Sequence, residues 1–325
     1  MTDLTNPILH DDDAAREHLE SIRWANGVYC PHCGNAEAAS LRKLEGKSHR
    51  PGLWQCNACR EHFTVTVGSV MERSHIGLAK WVLAFHLYAS SKKGMSAHQL
   101  HRMIGITYKS AWFMAHRIRE AMKEDVKSSG PLGGAGKTVE ADETYIGRKD
   151  DQSPSAQRKG KPYLKRKPGN LKRTVVALVE RGGSVRSFHV ESATVDSVKH
   201  ILFTNADRKS VLYTDESKLY TKLGKDFDQH RTVHHTSGEY VRYEGDRTVH
   251  TNTIENVFSV FKRGMHGVYQ HCGEAHLHRY LAEFDFRYNR RSALGIEDRE
   301  RSDALIRGTA GKRLTYQQTG EAHHA

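Results

Sequence analysis

The sequence predicts a multidomain α+β chain, and three observations predict it. Two CxxC pairs, Cys30-Pro-His-Cys33 and Cys56-Asn-Ala-Cys59, stand near the N-terminus with 22 residues between them. Apolar residues at helical spacing then fill 76–124. Beyond a glycine-rich stretch at 127–137 the pattern changes to alternating strands and helices. The expected division is 1–68 for a helix and a cysteine-bearing ribbon, 69–126 for a helical region, 127–137 for a linker, 138–292 for a mixed-sheet α/β domain, and 293–325 for a tail. At 325 residues the chain is long enough for two or three domains with buried cores.

The first block opens with a helix over Asp12 to Trp24, with Asp11–Asp13 at its start, where the helix dipole favours negative charge. The ribbon follows from 28 to about 68 and ends in the alternating stretch Phe63-Thr64-Val65-Thr66-Val67, read as a strand stopped by Gly68. Each CxxC knuckle offers two thiolates from one tight turn, and a tetrahedral Zn²⁺ takes four. Cys30, Cys33, Cys56 and Cys59 are therefore assigned to one structural zinc ion. The start MTDLTNPILHDDD lacks the basic and apolar stretches of a signal peptide, so an intracellular, cytoplasmic chain is expected, where paired thiols bind metal rather than oxidise. Cys272 is left over and reads as a buried, unreactive thiol.

Within 76–124, Leu78, Trp81, Val82 and Phe85 mark one helix, and Ser96 opens a short second one carrying Leu100, Met103 and Ile104. Gly105 makes a turn, and Ile106 to Met122 forms a longer third helix. A short helix, a glycine turn and a longer helix make a helix-turn-helix pattern. Lys109, His116, Arg117 and Arg119 decorate the last helix, the one that would enter a major groove. A plain helical bundle is the competing reading.

The stretch KSSGPLGGAGK at 127–137 reads as a linker. After it, Thr138–Asp142, Thr174–Val179, Val185–Val190 and Ser210–Thr214 read as strands, with Thr232–His234 as a further candidate. Helices are expected at Val195–Phe203, Thr253–Arg263 and Glu274–Asn289, and the pattern fades past Arg301.

Charge narrows the partners. The chain carries 50 Lys+Arg against 38 Asp+Glu, a net +12, with a pI near 9.4 and mean hydropathy of −0.68. No apolar run approaches the roughly 20 residues a bilayer span needs, so no membrane association is expected. The positive excess points to nucleic acid. Two thirds of it lies in 148–173, where ten basic residues meet two acidic ones. Interspersed prolines and glycines prevent a regular helix there, so the segment reads as an insertion between strands. Lys159, Lys161, Lys165, Arg166, Lys167, Lys172 and Arg173 would grip phosphates, alongside Lys109, Arg117 and Arg119.

Three segments offer carboxylates for chemistry. Glu140 and Asp142 share one face of the first strand, and Asp215 ends the strand Val211–Thr214. In the helix around 253–263, Ile254, Val257, Phe258 and Phe261 gather on one side. Glu255, Ser259 and Lys262 fall on an adjoining side, with Glu255 and Lys262 two turns apart. Three hard oxygen donors from separate segments suit Mg²⁺ (or Mn²⁺), and two such ions can serve both oxygens of a phosphodiester displacement.

Taken together, CPHCG…CNAC, ADETYIG, YTDES, HTNTIENVFSVFKRG and HLHRYLAEFDFRYNRR resemble the zinc-ribbon DDE transposases of bacterial insertion sequences, the ISXO-like group, over roughly residues 15–292. The resemblance implies an RNase H-like catalytic domain that cleaves transposon ends and transfers strands. Asp142 and Asp215 match the two aspartates, Glu255 the third acidic position and Lys262 the trailing lysine. Some relatives carry asparagine as the third ligand, and Asn252 and Asn256 stand beside Glu255; the helical face selects Glu255. Partners implied are double-stranded DNA, both transposon ends and target, and a second copy of the chain, since two ends must be joined. A nucleoid-associated location follows. The rival functions are a DNA-binding regulator without catalysis, and a nuclease or resolvase without strand transfer.

Overall fold

The computed structural model describes residues 3–125, 129–147, 172–245 and 247–315. The chain divides into two compact units, one built from 1–124 and 290–325, the other from 125–289.

In the first unit, helix α1 (Asp12–Arg23) is capped by Asp11, whose side chain accepts from the Ala14 amide at 2.7 Å. Asp12 in turn accepts from the Ala79 amide at 2.8 Å, capping helix α2 (Leu78–Ser90). Residue Gly77 at the N-cap of α2 has no side chain to do so, and a Cβ there would lie 2.7 Å from the Asp12 carboxylate. The ribbon is an antiparallel sheet of β1 (Leu41–Leu44), β2 (Leu53–Cys56) and β3 (His62–Phe63). Trp24, Trp54 and Phe63 pack edge and face against one another on it, with centroids 5.9–6.4 Å apart.

The strand expected over Phe63–Val67 is shorter than its alternation suggests. It stops at Phe63, and Thr64–Val67 turns instead, with the Val67 amide bonding the Thr64 carbonyl at 3.1 Å. Val65 is buried and its carbonyl accepts from Arg23, so the alternating pattern marks a tucked-in turn.

Helix α2 presents Trp81, Val82, Phe85 and Tyr88 to the core. Helix α3 (Ala97–Ile104) is capped by Ser96 and ends at Gly105, whose φ of +62° suits glycine. Thr107 then caps α4 (Tyr108–Met122). The tail expected beyond 293 contains a helix, Asp298–Arg307, that packs on α2 with Leu305 and Ile306 buried. Arg301 donates to the Ala89 and Arg290 carbonyls, and residues 309–311 bond back to Gly68 and Val70.

The second unit is a five-stranded sheet in the order β6-β5-β4-β7-β8. These are β4 (Thr138–Ile146), β5 (Arg173–Glu180), β6 (Val185–Val190), β7 (Val211–Asp215) and β8 (Gln229–Val233). Pairs β4–β5 and β5–β6 are antiparallel; β4–β7 and β7–β8 are parallel. Strand β5 is buried along seven of its eight residues because both faces of the sheet are covered. Val175, Ala177 and Val179 pack against Ile254, Phe258 and Phe261 of α7 (Asn252–Gly264) and Leu281 and Phe284 of α8 (Leu277–Asn289). Val176 and Leu178 face the other way, with Val139 and Ala141, onto Val198, Ile201 and Leu202 of α5 (Val195–Asn205). The short α6 (Lys218–Thr221) lies on that second face through Tyr220. A hairpin of β9 (Arg242–Glu244) and β10 (Arg247–Val249) precedes α7.

The stretch read as a linker behaves otherwise over its described part. Leu132 is buried and bonded on both sides, to the Asn205 carbonyl and the Asp207 amide, each at 2.8 Å. A Cβ on Gly133 would lie 2.0 Å from the Ser210 hydroxyl, so this glycine serves close approach rather than flexibility. Most of the basic insertion, 148–171, falls outside the described residues, and with it Lys159, Lys161, Lys165, Arg166 and Lys167.

Candidate active site and metal centre

The four cysteines come together. Their sulfurs all lie within 4.8 Å of one another, with Cys30–Cys59 at 3.6 Å and Cys33–Cys56 at 3.7 Å. A disulfide needs about 2.05 Å. Four thiolates at about 2.3 Å from a tetrahedral Zn²⁺ stand about 3.8 Å apart, so the donor set fits that ion. Each knuckle is closed by a residue of positive φ directly after its second cysteine, Gly34 at +78° and Arg60 at +64°. The Cys59 and Ala58 amides aimed at Cys56 lower its thiol to about 6, while burial and the neighbouring sulfurs push Cys59 up to about 12, so the four thiols titrate as one set.

The acidic site lies where two parallel strands stop pairing. Strands β4 and β7 remain in register to Glu140 opposite Tyr213. Asp142 and Asp215 each stand two residues further on, at the carboxyl end of the pair. Asp142 accepts its neighbour Glu143's amide at 2.7 Å, and Asp215 accepts the Ser217 amide at 3.0 Å. Glu255 comes from the first turn of α7 and is 44% exposed. Its Oε1 accepts from the Thr251 hydroxyl at 2.9 Å and lies 3.4 Å from His235 Nε2. Asn252 and Asn256 are exposed on the same helix. Lys262 is partly exposed and its ammonium has no bonded partner among the described residues.

Electrostatics show how closely these acids crowd. Burial pushes Asp142 up to about 8, and the charges of Asp215, Glu143 and Glu255 push the same way. Burial also raises Asp215, opposed by the Ser217 amide and by His235. Among the described residues only the cysteine sulfurs converge within 4.8 Å, so the carboxylates form a looser set. Such a set suits Mg²⁺, which keeps several waters and is completed by substrate phosphate oxygens. Burial first, and the neighbouring negative charges second, favour the protonated form of Asp142 at neutral pH.

Several residues at the site carried no sequence signal of their own. His235, from the turn after β8, faces both Asp215 and Glu255. Its backbone is held by Glu216, which accepts the His235 and Thr236 amides at 2.8 and 3.0 Å and is thereby lowered to about 2. Glu143 turns to the opposite face of β4, where the buried Tyr220 hydroxyl donates to it at 2.8 Å. The His234-His235 doublet closing a strand was the available hint.

The basic residues divide. Lys109 is exposed at the start of α4, and Lys172 is exposed just before β5. Arg117 lies over the Phe113 ring and donates to the Glu72 carbonyl at 3.1 Å. Two assignments to DNA are corrected. Arg119 is only 2% exposed and lies over Tyr88, because its place on the helix is on the apolar side with Ile118 and Met122. Arg173 is 5% exposed and donates to the Cys272 carbonyl, anchoring the start of β5.

The chain thus carries a four-cysteine ribbon and, in its second unit, carboxylates at the ends of adjacent parallel strands, and comparison with known proteins shows which family combines them. Residues 131–289 match the ISXO2-like transposase domain, and residues 10–62 match the transposase zinc-ribbon domain. A protein of Halobacterium salinarum, described as an uncharacterized protein in transposable element ISH50, is 31% identical over 277 residues, covering 83% of this chain and 88% of the relative. The chain belongs to the ISXO2-like family of DDE transposases. Crystal structures of the Mos1 transposase are far more distant. Its pre-cleavage transpososome covers 62% of this chain and 74% of that one, at 9% identity and a TM-score of 0.19. Its paired-end complex with the left transposon end covers 66% and 77%, at 8% identity and the same score. Superpositions this loose carry no weight for the fold. Among the described residues, no helix is long and apolar enough to cross a membrane.

Proposed function

We propose that this transposase binds the terminal inverted repeats of its own insertion sequence and catalyses Mg²⁺-dependent cleavage and strand transfer there. The observation that carries the proposal is the placement of Asp142 and Asp215 at adjacent parallel strand ends, with Glu255 near enough to shift Asp142. The order of one antiparallel meander followed by two parallel strands supports an RNase H-like reading of this sheet. Asp142, Asp215 and Glu255 would hold two Mg²⁺ or Mn²⁺ ions, with His235 and Thr251 orienting Glu255. Bound there, the ions supply activation of the attacking oxygen and charge stabilisation of the leaving one. Lys262, two turns beyond Glu255 with its ammonium uncommitted, meets a phosphate of the bound strand. The zinc ribbon and the α3–α4 pair choose the site, Lys109 and Lys172 contact phosphates, and the 148–173 insertion adds affinity that is independent of sequence. Two ends are joined by a dimer or higher assembly.

The test is incubation of zinc-loaded protein and Mg²⁺ with labelled DNA bearing the element's own ends and a target plasmid. Nicked ends and joined products are expected from the natural chain. Asp142→Asn and Asp215→Asn should keep end binding and lose both products. Full cleavage by either variant refutes the assignment, nicking without joining favours a nuclease, and binding without any metal-dependent nicking favours a regulator.

A further inference from the structure

Behind the three carboxylates lies an ion pair, buried at its Glu140 end and partly exposed at Arg181, that touches all three segments carrying them. Glu140 is fully buried on β4, two residues before Asp142 and on the same face. Its Oε1 accepts from Arg181 Nε at 2.6 Å and from the Thr253 hydroxyl at 2.9 Å, and its Oε2 accepts from the Ile254 amide at 3.0 Å. Thr253 stands two residues before Glu255. Arg181, just past β5, lies over the Tyr213 ring at 4.5 Å, and Tyr213 stands two residues before Asp215 on β7. The remaining guanidinium nitrogens donate to the Thr248 and His250 carbonyls, at 2.8 and 2.7 Å, on the chain that leads into α7.

The start of α7 shows why this pair is needed. Thr251 is its N-cap residue, yet its hydroxyl caps nothing and goes instead to Glu255. The orphan amide at Ile254, which an N-cap side chain ordinarily satisfies, is taken by Glu140 from the neighbouring sheet. A carboxylate at a helix N-terminus is also favoured by the helix dipole. The helix is thus capped from the same strand that carries Asp142, and its own cap residue is released to hold Glu255.

We propose that Glu140 and Arg181 are positioning residues that hold Glu255 in register with Asp142 and Asp215, so that the three bind metal as one site. This rests on the metal-dependent reading above. An ion pair with a buried carboxylate confers little net stability compared with an apolar replacement, while loss of its arginine strands the buried charge of Glu140. That asymmetry separates positioning from mere support of the fold. Glu140→Gln and Arg181→Met each leave one partner behind and should lower the melting temperature of the full chain. The double variant removes both charges and should recover the part of the Arg181→Met loss that comes from the stranded Glu140 charge, the Thr248 and His250 carbonyls staying unbonded in both.

The decisive measurement is Mn²⁺ binding to zinc-loaded protein by electron paramagnetic resonance, with Asp142→Asn as the control that identifies the acidic site. Each single variant should bind Mn²⁺ about tenfold more weakly, the usual scale for residues that orient ligands. The double variant should melt above Arg181→Met without regaining Mn²⁺ affinity, and should need correspondingly more Mg²⁺ than the natural chain for half-maximal cleavage. Thr253→Val removes one hydroxyl without disturbing the pair's charges, and should weaken Mn²⁺ binding even if the other variants fold poorly. Affinity that returns with stability in the double variant, or variants that bind Mn²⁺ like the natural chain, overturns the positioning role. Mn²⁺ binding that survives Asp142→Asn overturns instead the acidic metal site on which the proposal rests.

Discussion

Replacing Asp142 by Asn should stabilise the second unit while abolishing its chemistry. Asp142 is raised from 3.8 to about 8, by burial first and then by the charges of Asp215, Glu143 and Glu255. An acid raised on folding contributes stability that is complete below its unfolded value and is lost as pH rises through the folded one. Each pH unit of that interval is worth about 1.4 kcal/mol. Between pH 5 and pH 7 the carboxyl therefore weighs against folding by an amount that grows from on the order of 1–2 to on the order of 4 kcal/mol. Asparagine keeps the shape and does not titrate, so the variant's advantage should be near zero at pH 4 and grow steadily to pH 8.

Tryptophan fluorescence cannot read this, because Trp24, Trp54, Trp81 and Trp112 all belong to the first unit. Amide hydrogen exchange over β4, β5 and β7 can, with both proteins zinc-loaded, free of Mg²⁺ and compared at matched pH. Core amides of Asp142→Asn should exchange more slowly at pH 7, by up to about a thousandfold. Adding Mg²⁺ should then protect the natural chain and leave the variant unchanged, since only a ligand that binds the folded state stabilises it. Equal protection of the two proteins at pH 7, or a gap of the same size at pH 4 and pH 7, would refute the reasoning.

Four further expectations are independent of that site. Cys56→Ser should reduce bound zinc from one equivalent to near zero by metal analysis and unfold the ribbon, with exchange in β4–β8 unaffected. Leu305→Ala should cost about 2–4 kcal/mol in a tryptophan-detected urea transition, because Leu305 is fully buried in the helix at the C-terminal end of the described chain; an unchanged midpoint would mean that this helix is dispensable. Lys109→Ala should leave that transition in place and lower the salt dependence of DNA binding by about one unit of slope. Arg119→Ala should do the reverse, losing stability with no direct change in slope.

Local patterns were legible in the sequence, and tertiary substitutions were not. The cysteine knuckles and the stripe Ile254, Val257, Phe258, Phe261 depend on spacing alone, and each is where its spacing places it. Arg119 misled because a charge on a helix reads as a solvent-facing one until its neighbours are known; Tyr88 comes from another helix. The helix Asp298–Arg307 was missed because DRERSDALIR carries six charges and only Leu305 and Ile306 as large apolar residues. Arg301 is buried there through bonds to Ala89 and Arg290 that no periodicity encodes. Glycines 133 and 134 read as flexibility, yet their amides bond Glu180 and Ser210 at 2.8 Å. Glu140 was visible as Asp142's face-mate; its cap on Ile254, 114 residues away, was not.

The return of the chain to its first unit bears on the order in which the chain can fold. Residues 290–315 complete a core that 1–124 leave open, with Leu305 and Ile306 against α2 and a bridge between Ser69 and Ala310. In the order of the chain, the catalytic unit is therefore an insertion between two parts of the zinc-bearing unit. Contacts this far apart in sequence form late, since closing the loop between them carries an entropy cost before any contact repays it. The first unit's core is completed only once the whole of 125–289 has emerged and 290–315 has docked. A fragment truncated inside the second unit would lack the helix that closes the core of the first, and that core should then lose its cooperative unfolding.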